Sequence, residues 1–481
     1  MSEIIKFEPL FYPKTIAIIG ASENKVGGIK YYFAMKSVGF FEKGGKMYLI
    51  NPKLKELFGE PVFPSIDDPA IPNPIDLAIV AVPAKFVPDV IRKCHNRVKF
   101  AVIYTSGFSE SGFDDIDRDL KLAIKESNVG VIGPNGLGII SPAGNLVIYP
   151  KIPLFEGNIS YIAQSGGTAT RLYIYLGYIG IGFRNVVSIG NAYGTSPQEL
   201  LEYYNEDPGT KTIVLYLESV KNGRKFMETA KKITPKKPII LWKGGQTERG
   251  MKATFSHTGG LAGSFSVWQA MAKQCGIMMA DHFELFADLV QVTNIRPIFP
   301  KNLNVAVVVA GGGIGVEFTD LFEKNGLKVP DLSERTQKRL GKLFPNINTN
   351  FQNPCDLGEY AYIPAMFTEA MGIILKDENI GSVVFVREPE RFDIISANLN
   401  VANPQEETIM GLVDVLKSYP KPVFCNPSAN ADTESAFKAR NDFQKQMIKA
   451  GIPVVNYITN IPKIIQQLYQ YGKFLEHMNG V

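Results

Sequence analysis

Four histidines occur in this 481-residue chain, His95, His257, His282 and His477, and one of them has surroundings suited to chemistry. His257 sits in KGGQTERGMKATFSHTGGLAG, residues 243–263, a polar stretch punctuated by glycine that reads as a loop rather than an apolar face. Neutral imidazole is nucleophilic near neutral pH, and a carboxylate can orient its second ring nitrogen. A loop exposes such a ring and can carry it between ligands. Glu218, ending the run TIVLYLES, is the candidate carboxylate. A hydrogen bond from His257 to Glu218 would fix the tautomer and stabilise the positive charge that develops as the ring attacks phosphorus. The plainer reading of Glu218 is a strand-end residue that caps a helix or meets solvent. Gln164, Ser165, Gly166, Gly167 and Thr168 follow an apolar run and open a predicted helix, so their N–H groups can grip phosphate. A capped helix without a ligand uses many of the same residues.

A second cluster surrounds GASENKVGG, residues 20–28. Gly20 permits a tight exit from a strand, Gly27 and Gly28 let backbone approach a phosphate at a helix N-terminus, and Lys25 adds a compact positive charge. The arrangement is not GxGxxG, which counts against a dinucleotide. Asn51, Pro52 and Lys53, then Val82 and Pro83, then Ser106 and Gly107, then Pro134 and Asn135, end further apolar runs. In a parallel sheet these loops converge on one crevice, although each alone reads as a proline or Asx turn.

The elements that would position these groups are short β-branched runs alternating with helical patterns, the signature of α/β domains with parallel sheets. TIAIIG, MYLINP, IDLAIVAVP, FAVIYTSG and VGVIGPNG form a first series. ISYIAQSGG, NVVSIGN, KTIVLYLES and KPIILWKGG form a second, and NVAVVVAGGG, GSVVFVREP, KPVFCNPSA and GIPVVNYI a third with a helical tail. The expected domains are 1–145, 150–294 and 300–470. A net charge of +4, from 51 basic and 47 acidic residues, is too balanced to imply a nucleic-acid binder. Four cysteines without metal-like spacing suggest neither a metal site nor a disulfide framework, and a reducing, cytoplasmic setting fits them. The N-terminus lacks a signal-peptide pattern, and no apolar run approaches the ~18 residues of a membrane span.

The quoted motifs carry a resemblance. IIGASENKVGG, LINPK, AVPAKFVPDV, YTSGFSESG and GPNGLGII are similar to the CoA-binding domain of nucleoside-diphosphate-forming (ADP-forming) acyl-CoA synthetases, relatives of the succinyl-CoA synthetase alpha subunit. YIAQSGGTAT, SIGN, YLES and SHTGGLAG resemble the successive motifs of the same family's ligase domain, and VAGGGIG and NPCDLG those of its third domain. The resemblance implies a CoA-binding Rossmann-like domain followed by two flavodoxin-like domains of succinyl-CoA-synthetase type. It implies that Gly20, Ala21, Ser22, Lys25, Val26, Gly27, Asn51, Pro52 and Lys53 hold the phosphate-bearing half of CoA. Val82, Pro83 and Asn135 line the adenine or pantetheine path, with Ser106 and Gly107 as further contacts. His257 is the phosphorylated residue, Glu218 stabilises it, and residues 164–168 with Asn191 border the phosphoryl and acyl-transfer site. Gly136 stands where many members have the cysteine of GPNC, Cys355 stands in NPCDLG where many read NPVDL, and an Asp common after the GN is missing from GNAYGTSPQ.

By the same resemblance the chain is an alpha subunit that converts acyl-CoA, ADP and phosphate into carboxylic acid, ATP and CoA. No GxxxxGK[ST] loop or ATP-grasp pattern is found in the sequence, so ADP, ATP and Mg2+ are assigned to a separate ATP-grasp beta subunit in an alpha2beta2 assembly. A rival reading is a CoA- or acyl-CoA-binding regulatory protein without synthetase activity. An NAD-dependent oxidoreductase is a second rival, disfavoured by the missing GxGxxG.

Overall fold

The computed structural model describes residues 3–108, 112, 114–258, 264–345, 347–392, 403–428, 431–478 and 480, which divide into two compact units, Met1–Asp281 and His282–Val481. In the first unit the apolar runs become two sheets. The first contains β1 (Thr15–Ile19), β2 (Lys46–Ile50), β3 (Glu56–Leu57), β4 (Glu60–Phe63), β5 (Ile75–Val80), β6 (Val98–Ile103) and β7 (Gly130–Ile132). Its order is β3-β4-β2-β1-β5-β6-β7, parallel except where β3 meets β4. Without β3 this is the doubly wound 3-2-1-4-5-6 order, in which the direction of strand addition reverses between β1 and β5. Helices cover both faces, which is why β1, β5 and β6 are almost continuously buried.

The second sheet contains β8 (Gly138–Ile140), β9 (Glu156–Ala163), β10 (Phe183–Ser188), β11 (Thr212–Leu217), β12 (Ile239–Lys243) and β13 (Met278–Ala280) in the order β13-β12-β11-β9-β10-β8. Strands β9 to β13 follow the flavodoxin order 2-1-3-4-5, and β8 joins the edge antiparallel to β10. The switch point lies between β9 and β11. Local sequence starts the helices that follow. Ser165 accepts from Thr168 N–H ahead of helix Gly166–Tyr178, and Ser196 and Glu199 form a reciprocal capping box with Pro197 at the first helical position of Pro197–Glu206. The N-terminal segment forms a helix, Glu3–Phe11, whose Phe7 and Phe11 are fully buried, with ring centroids 5.3 and 5.0 Å from that of Tyr203.

In the second unit β14 (Val305–Val309), β15 (Cys355–Asp356), β16 (Ser382–Arg387) and β17 (Val423–Pro427) form a parallel sheet in the order β15-β14-β16-β17. Cys355 is fully buried beside Val308, a packing role, and burial pushes its thiol up to about 12. GIPVVNYI is a corrected expectation: it makes only an isolated bridge, Val454 with Cys425. Asn426 Nδ2 donates to Val455 O at 2.8 Å, so a side chain takes the position of the next ladder bond. Helix Phe283–Ile295 belongs to this unit, where Asn460 Nδ2 donates to Asp288 Oδ2 at 2.8 Å. The chain's tail is helix Ile461–Met478. No helix among the described residues is long and apolar enough to cross a membrane.

Candidate active site

The first crevice opens at the switch point of the first sheet. Gly20 leaves β1 with φ +94°, and a Cβ there would lie 2.8 Å from Ala81 O and 2.9 Å from Val82 Cγ1, so glycine alone fits this turn. Gly20 and Ala21 N–H donate to Ile50 O, and Asn51 Nδ2 donates to Ala21 O at 2.7 Å, which ties the predicted loop to the end of β2. Asn51 Oδ1 accepts from Lys53 N–H at 2.9 Å, an Asx turn. Thr105 links two more rims: its Oγ1 donates to Val82 O at 2.6 Å, and its carbonyl accepts from Asn135 N–H at 3.0 Å. Gly20, Ala21 and Asn51 therefore form one bonded set, and Val82 and Asn135 another through Thr105. Lys25, Val26, Pro52, Lys53, Pro83 and Ser106 stand exposed around them, with Ser22 half-buried and Gly107 at positive φ.

The second site is built at the switch point of the second sheet. Gln164 leaves β9 and Glu218 leaves β11, and Gln164 Oε1 accepts from the N–H groups of Glu218 and Ser219. Glu218 is 5 % exposed, so its carboxylate sits in a low dielectric beside Tyr216, whose hydroxyl donates to Oε1 at 3.3 Å. Burial and that carboxylate hold the Tyr216 hydroxyl well above its usual range, which keeps it a donor. Lys243, at the end of β12, is fully buried and donates to Gly244 O and Gly245 O. Burial lowers its pKa while the Glu218 charge opposes the fall. Gln164 and Asn191 line one cavity of about 130 Å³ with Ser219, Lys221 and Lys225. Lys221 Nζ donates to Ala192 O at 2.7 Å, and burial lowers its pKa.

The loop expected around His257 is corrected. Residues Glu248–Thr258 form a helix, started by Thr247, whose Oγ1 accepts from Gly250 N–H at 3.1 Å and whose carbonyl accepts from Met251 N–H at 2.7 Å. The run ERGMKA is rich in helix formers, and that propensity outweighs the glycine that suggested a loop. His257 stands in the last turn of this helix; its side chain and residues 259–263 lie outside the described residues, and with them the expected bond to Glu218. Residues 164–168 divide their roles: Ser165 caps the helix, and a Cβ at Gly167 would come no nearer than 4.0 Å to a neighbour, Ser165 Oγ.

The two clusters, read separately in the sequence, are joined. Asn191 N–H donates to Pro134 O at 2.9 Å, Tyr193 N–H to Gly133 O at 2.9 Å, and Leu137 N–H to Ser188 Oγ at 3.0 Å. The turn that carries Asn135 thus rests on the loop that carries Asn191. Sequence reasoning missed Lys30, Tyr216, Lys221 and Lys243. Lys243 and Tyr216 lay inside quoted motifs, whereas Lys30 reads as an ordinary helix-surface residue.

Comparison with known proteins decides the family. Residues 14–142 match the CoA binding domain family, and residues 156–293 match the succinyl-CoA ligase like flavodoxin domain. The chain is 37% identical over 366 residues to the alpha subunit of ADP-forming acetate-CoA ligase I of Pyrococcus furiosus, covering 73% of this chain and 77% of that one. The family is that of the nucleoside-diphosphate-forming acyl-CoA synthetases, in the succinyl-CoA synthetase superfamily, and this chain belongs to it. It is 39% identical over 350 residues to ADP-forming acetate-CoA ligase of Methanocaldococcus jannaschii, covering 72% of this chain and spanning about half, 48%, of that relative's length. The dinucleotide-forming acetyl-coenzyme A synthetase 1 of Ca. Korarchaeum cryptofilum, solved in complex with phosphate and ADP, superposes with a TM-score of 0.81 at 30% identity, covering 99% of each chain.

In this member of the family the joint bonds residues 133–137 of the first match to residues 188–193 of the second. The first match ends just beyond β8 and the second begins with β9. At Gly136, in that joint, a Cβ would lie 2.6 Å from Ser188 O, so the cysteine of GPNC requires a shift of backbone that this chain does not make.

Proposed function

We propose that the chain is the alpha subunit of an ADP-forming acyl-CoA synthetase, which reversibly converts acyl-CoA, ADP and phosphate into carboxylic acid, ATP and CoA, with small acyl groups such as acetyl as substrates. The observation that carries this reading is the gathering of Gln164, Glu218 and Lys243 at the ends of the adjacent strands β9, β11 and β12, downstream of a glycine-turn cradle in the first sheet. The acetate-CoA ligase names of the relatives support it, as does a structural neighbour solved with phosphate and ADP.

CoA enters the first crevice, with its phosphates at the 20–28 loop beside Lys25 and Lys53. Gly20, Ala21 and Asn51 hold that loop in shape before the ligand arrives, and Val82 and Asn135 border the path toward the second site. There, a phosphate oxygen attacks the thioester carbonyl, the C–S bond breaks, and CoA leaves as the thiol with an acyl phosphate formed. A ring nitrogen of His257 then attacks phosphorus, the P–O bond to the carboxylate breaks, and the acid departs. Glu218 accepts from the other ring nitrogen and stabilises the positive charge. N–H groups of Gly166 and Gly167, with the side chain of Asn191, hold the phosphoryl oxygens. Phosphohistidine passes its phosphoryl group to ADP, held with Mg2+ by an ATP-grasp beta subunit in a cytoplasmic alpha2beta2 assembly. The P. furiosus relative, named as a subunit alpha, supports a partner of this kind.

The test combines the purified chain with its ATP-grasp partner, magnesium, ADP, phosphate and a panel of acyl-CoA compounds, and follows coupled release of ATP and CoA. Wild type is expected to turn over and His257→Ala to lose more than ~10³-fold, the scale of removing a nucleophile. Equal turnover in the variant would refute the phosphohistidine route.

A further inference from the structure

Lys30 is a buried positive charge with no negative charge beside it among the described residues. It is the second residue of helix Ile29–Ser37, directly after the cradle, and is 7 % exposed. Among the described residues its ammonium meets only ring faces: Nζ lies 3.9 Å from the Tyr104 centroid, 4.9 Å from that of Tyr149 and 5.0 Å from that of Tyr31. Burial holds the Tyr31 and Tyr149 hydroxyls above their usual range, so these rings bring no formal negative charge at neutral pH. Desolvating an ammonium without an anion is unfavourable, and ring faces offset only part of that cost. Burial accordingly pulls the Lys30 pKa down to about 8.

The cage is made from the elements that form the first crevice. Lys30 N–H donates to Gly27 O at 3.3 Å in the cradle. Tyr104, following β6, donates its hydroxyl to Val26 O at 3.3 Å, and Tyr31 donates to Leu137 O at 2.6 Å beside the Asn135 turn. Lys25 and Lys53 lie exposed at the rim, where solvent screens them, while Lys30 lies behind the loop at the helix N-terminus. A diphosphate is the ligand group that a helix N-terminus at such a switch point accommodates.

We propose that Lys30 positions CoA by supplying the buried positive charge that meets its diphosphate, with Tyr31, Tyr104 and Tyr149 holding the ammonium in place. The inference rests on the CoA reading of the first crevice. An anion favours the charged lysine and raises its pKa in the complex. Affinity is therefore level below the free pKa of about 8 and falls as pH rises from there toward the pKa of the complex. The titratable side chains facing Lys30 are Tyr31, Tyr104 and Tyr149, and burial holds the Tyr31 and Tyr149 hydroxyls above their usual range.

Calorimetry on the full chain, with CoA, dephospho-CoA and pantetheine from pH 7 to pH 9.5, tests the inference. Wild type is expected to lose affinity for CoA and dephospho-CoA above pH 8 and to keep a flat profile for pantetheine, which has no phosphate. Lys30→Met is expected to bind both nucleotides about 10- to 100-fold more weakly at pH 7, with the pH slope gone, and Lys30→Arg to restore affinity and flatten the alkaline fall. A flat wild-type profile with dephospho-CoA overturns the inference without any variant. So does a Lys30→Met loss that is equal for pantetheine, the mark of a structural role, or one seen with CoA alone, which would move the contact to the 3′-phosphate. Absence of CoA binding by wild type would instead sink the CoA reading itself.

Discussion

In the first sheet, the loops at the switch point offer a glycine turn, pinned carbonyls and lysines at a solvated rim; in the second, the loops at the same topological place enclose a carboxylate, an amide and an ammonium. Lys25 and Lys53 are exposed, whereas Glu218 and Lys243 are at most 5 % exposed. Exposed charges are screened and exchange ligands readily, which suits binding and release of a polyanion. Buried charges act at short range in a low dielectric, which suits stabilising charge that changes during a transfer. Similar sheet geometry thus suits the two roles proposed above, holding and transfer: the strand-end charges of the first sheet are exposed, with the proposed buried charge, Lys30, set behind them on the helix, whereas those of the second are buried at the strand ends themselves.

The contrast can be broken most severely at Glu218. Glu218→Gln keeps the shape and removes the charge, and should lower acyl-CoA-dependent ATP formation by about 10²- to 10³-fold, a loss typical of removing one transition-state partner. CoA affinity measured by calorimetry should stay unchanged, and a parallel fall would show that the two crevices do not divide the work as described. The joint comes next. Gly136→Cys places a Cβ 2.6 Å from Ser188 O, and overpacking of this kind should cost about 1–3 kcal/mol, read as a lower urea midpoint, with both CoA binding and turnover reduced. A variant as stable as wild type would mean that the joint yields easily. The smallest effect is expected at Ser165. Ser165→Ala removes the acceptor for Thr168 N–H and should cost about 1 kcal/mol of stability. If turnover falls far more than stability, the hydroxyl serves the phosphate as well as the helix.

Much of the scaffold was legible because strand ends are local events. TIAIIG, IDLAIVAVP and KTIVLYLES announce buried strands by β-branched content, and the glycine and serine after them announce turns and caps, so Gly20, Ser165 and Glu218 lie where the pattern puts them. The failures share a cause. The glycine-rich stretch around His257 suggested a loop, but residues 248–258 satisfy their own backbone hydrogen bonds as a helix. GIPVVNYI has strand composition, yet Asn426 takes the position of the next ladder bond, and that contact spans 29 residues.

The sequence by itself determined the alternation of strands and helices, the turns that demand glycine, the helix caps and the residue types able to bind and carry phosphate, because each depends on neighbours within a few positions. Only the tertiary structure decided that Asn135 and Asn191 share one joint, that Lys243 and Glu218 share one buried field, and that Lys30 lies among three tyrosines instead of in water. Those outcomes depend on which strand ends meet across a sheet and how much water the meeting excludes. Burial, which sets the cost of a charge and the strength of its partners, belongs to the packed chain and cannot be read from the residue that carries the charge.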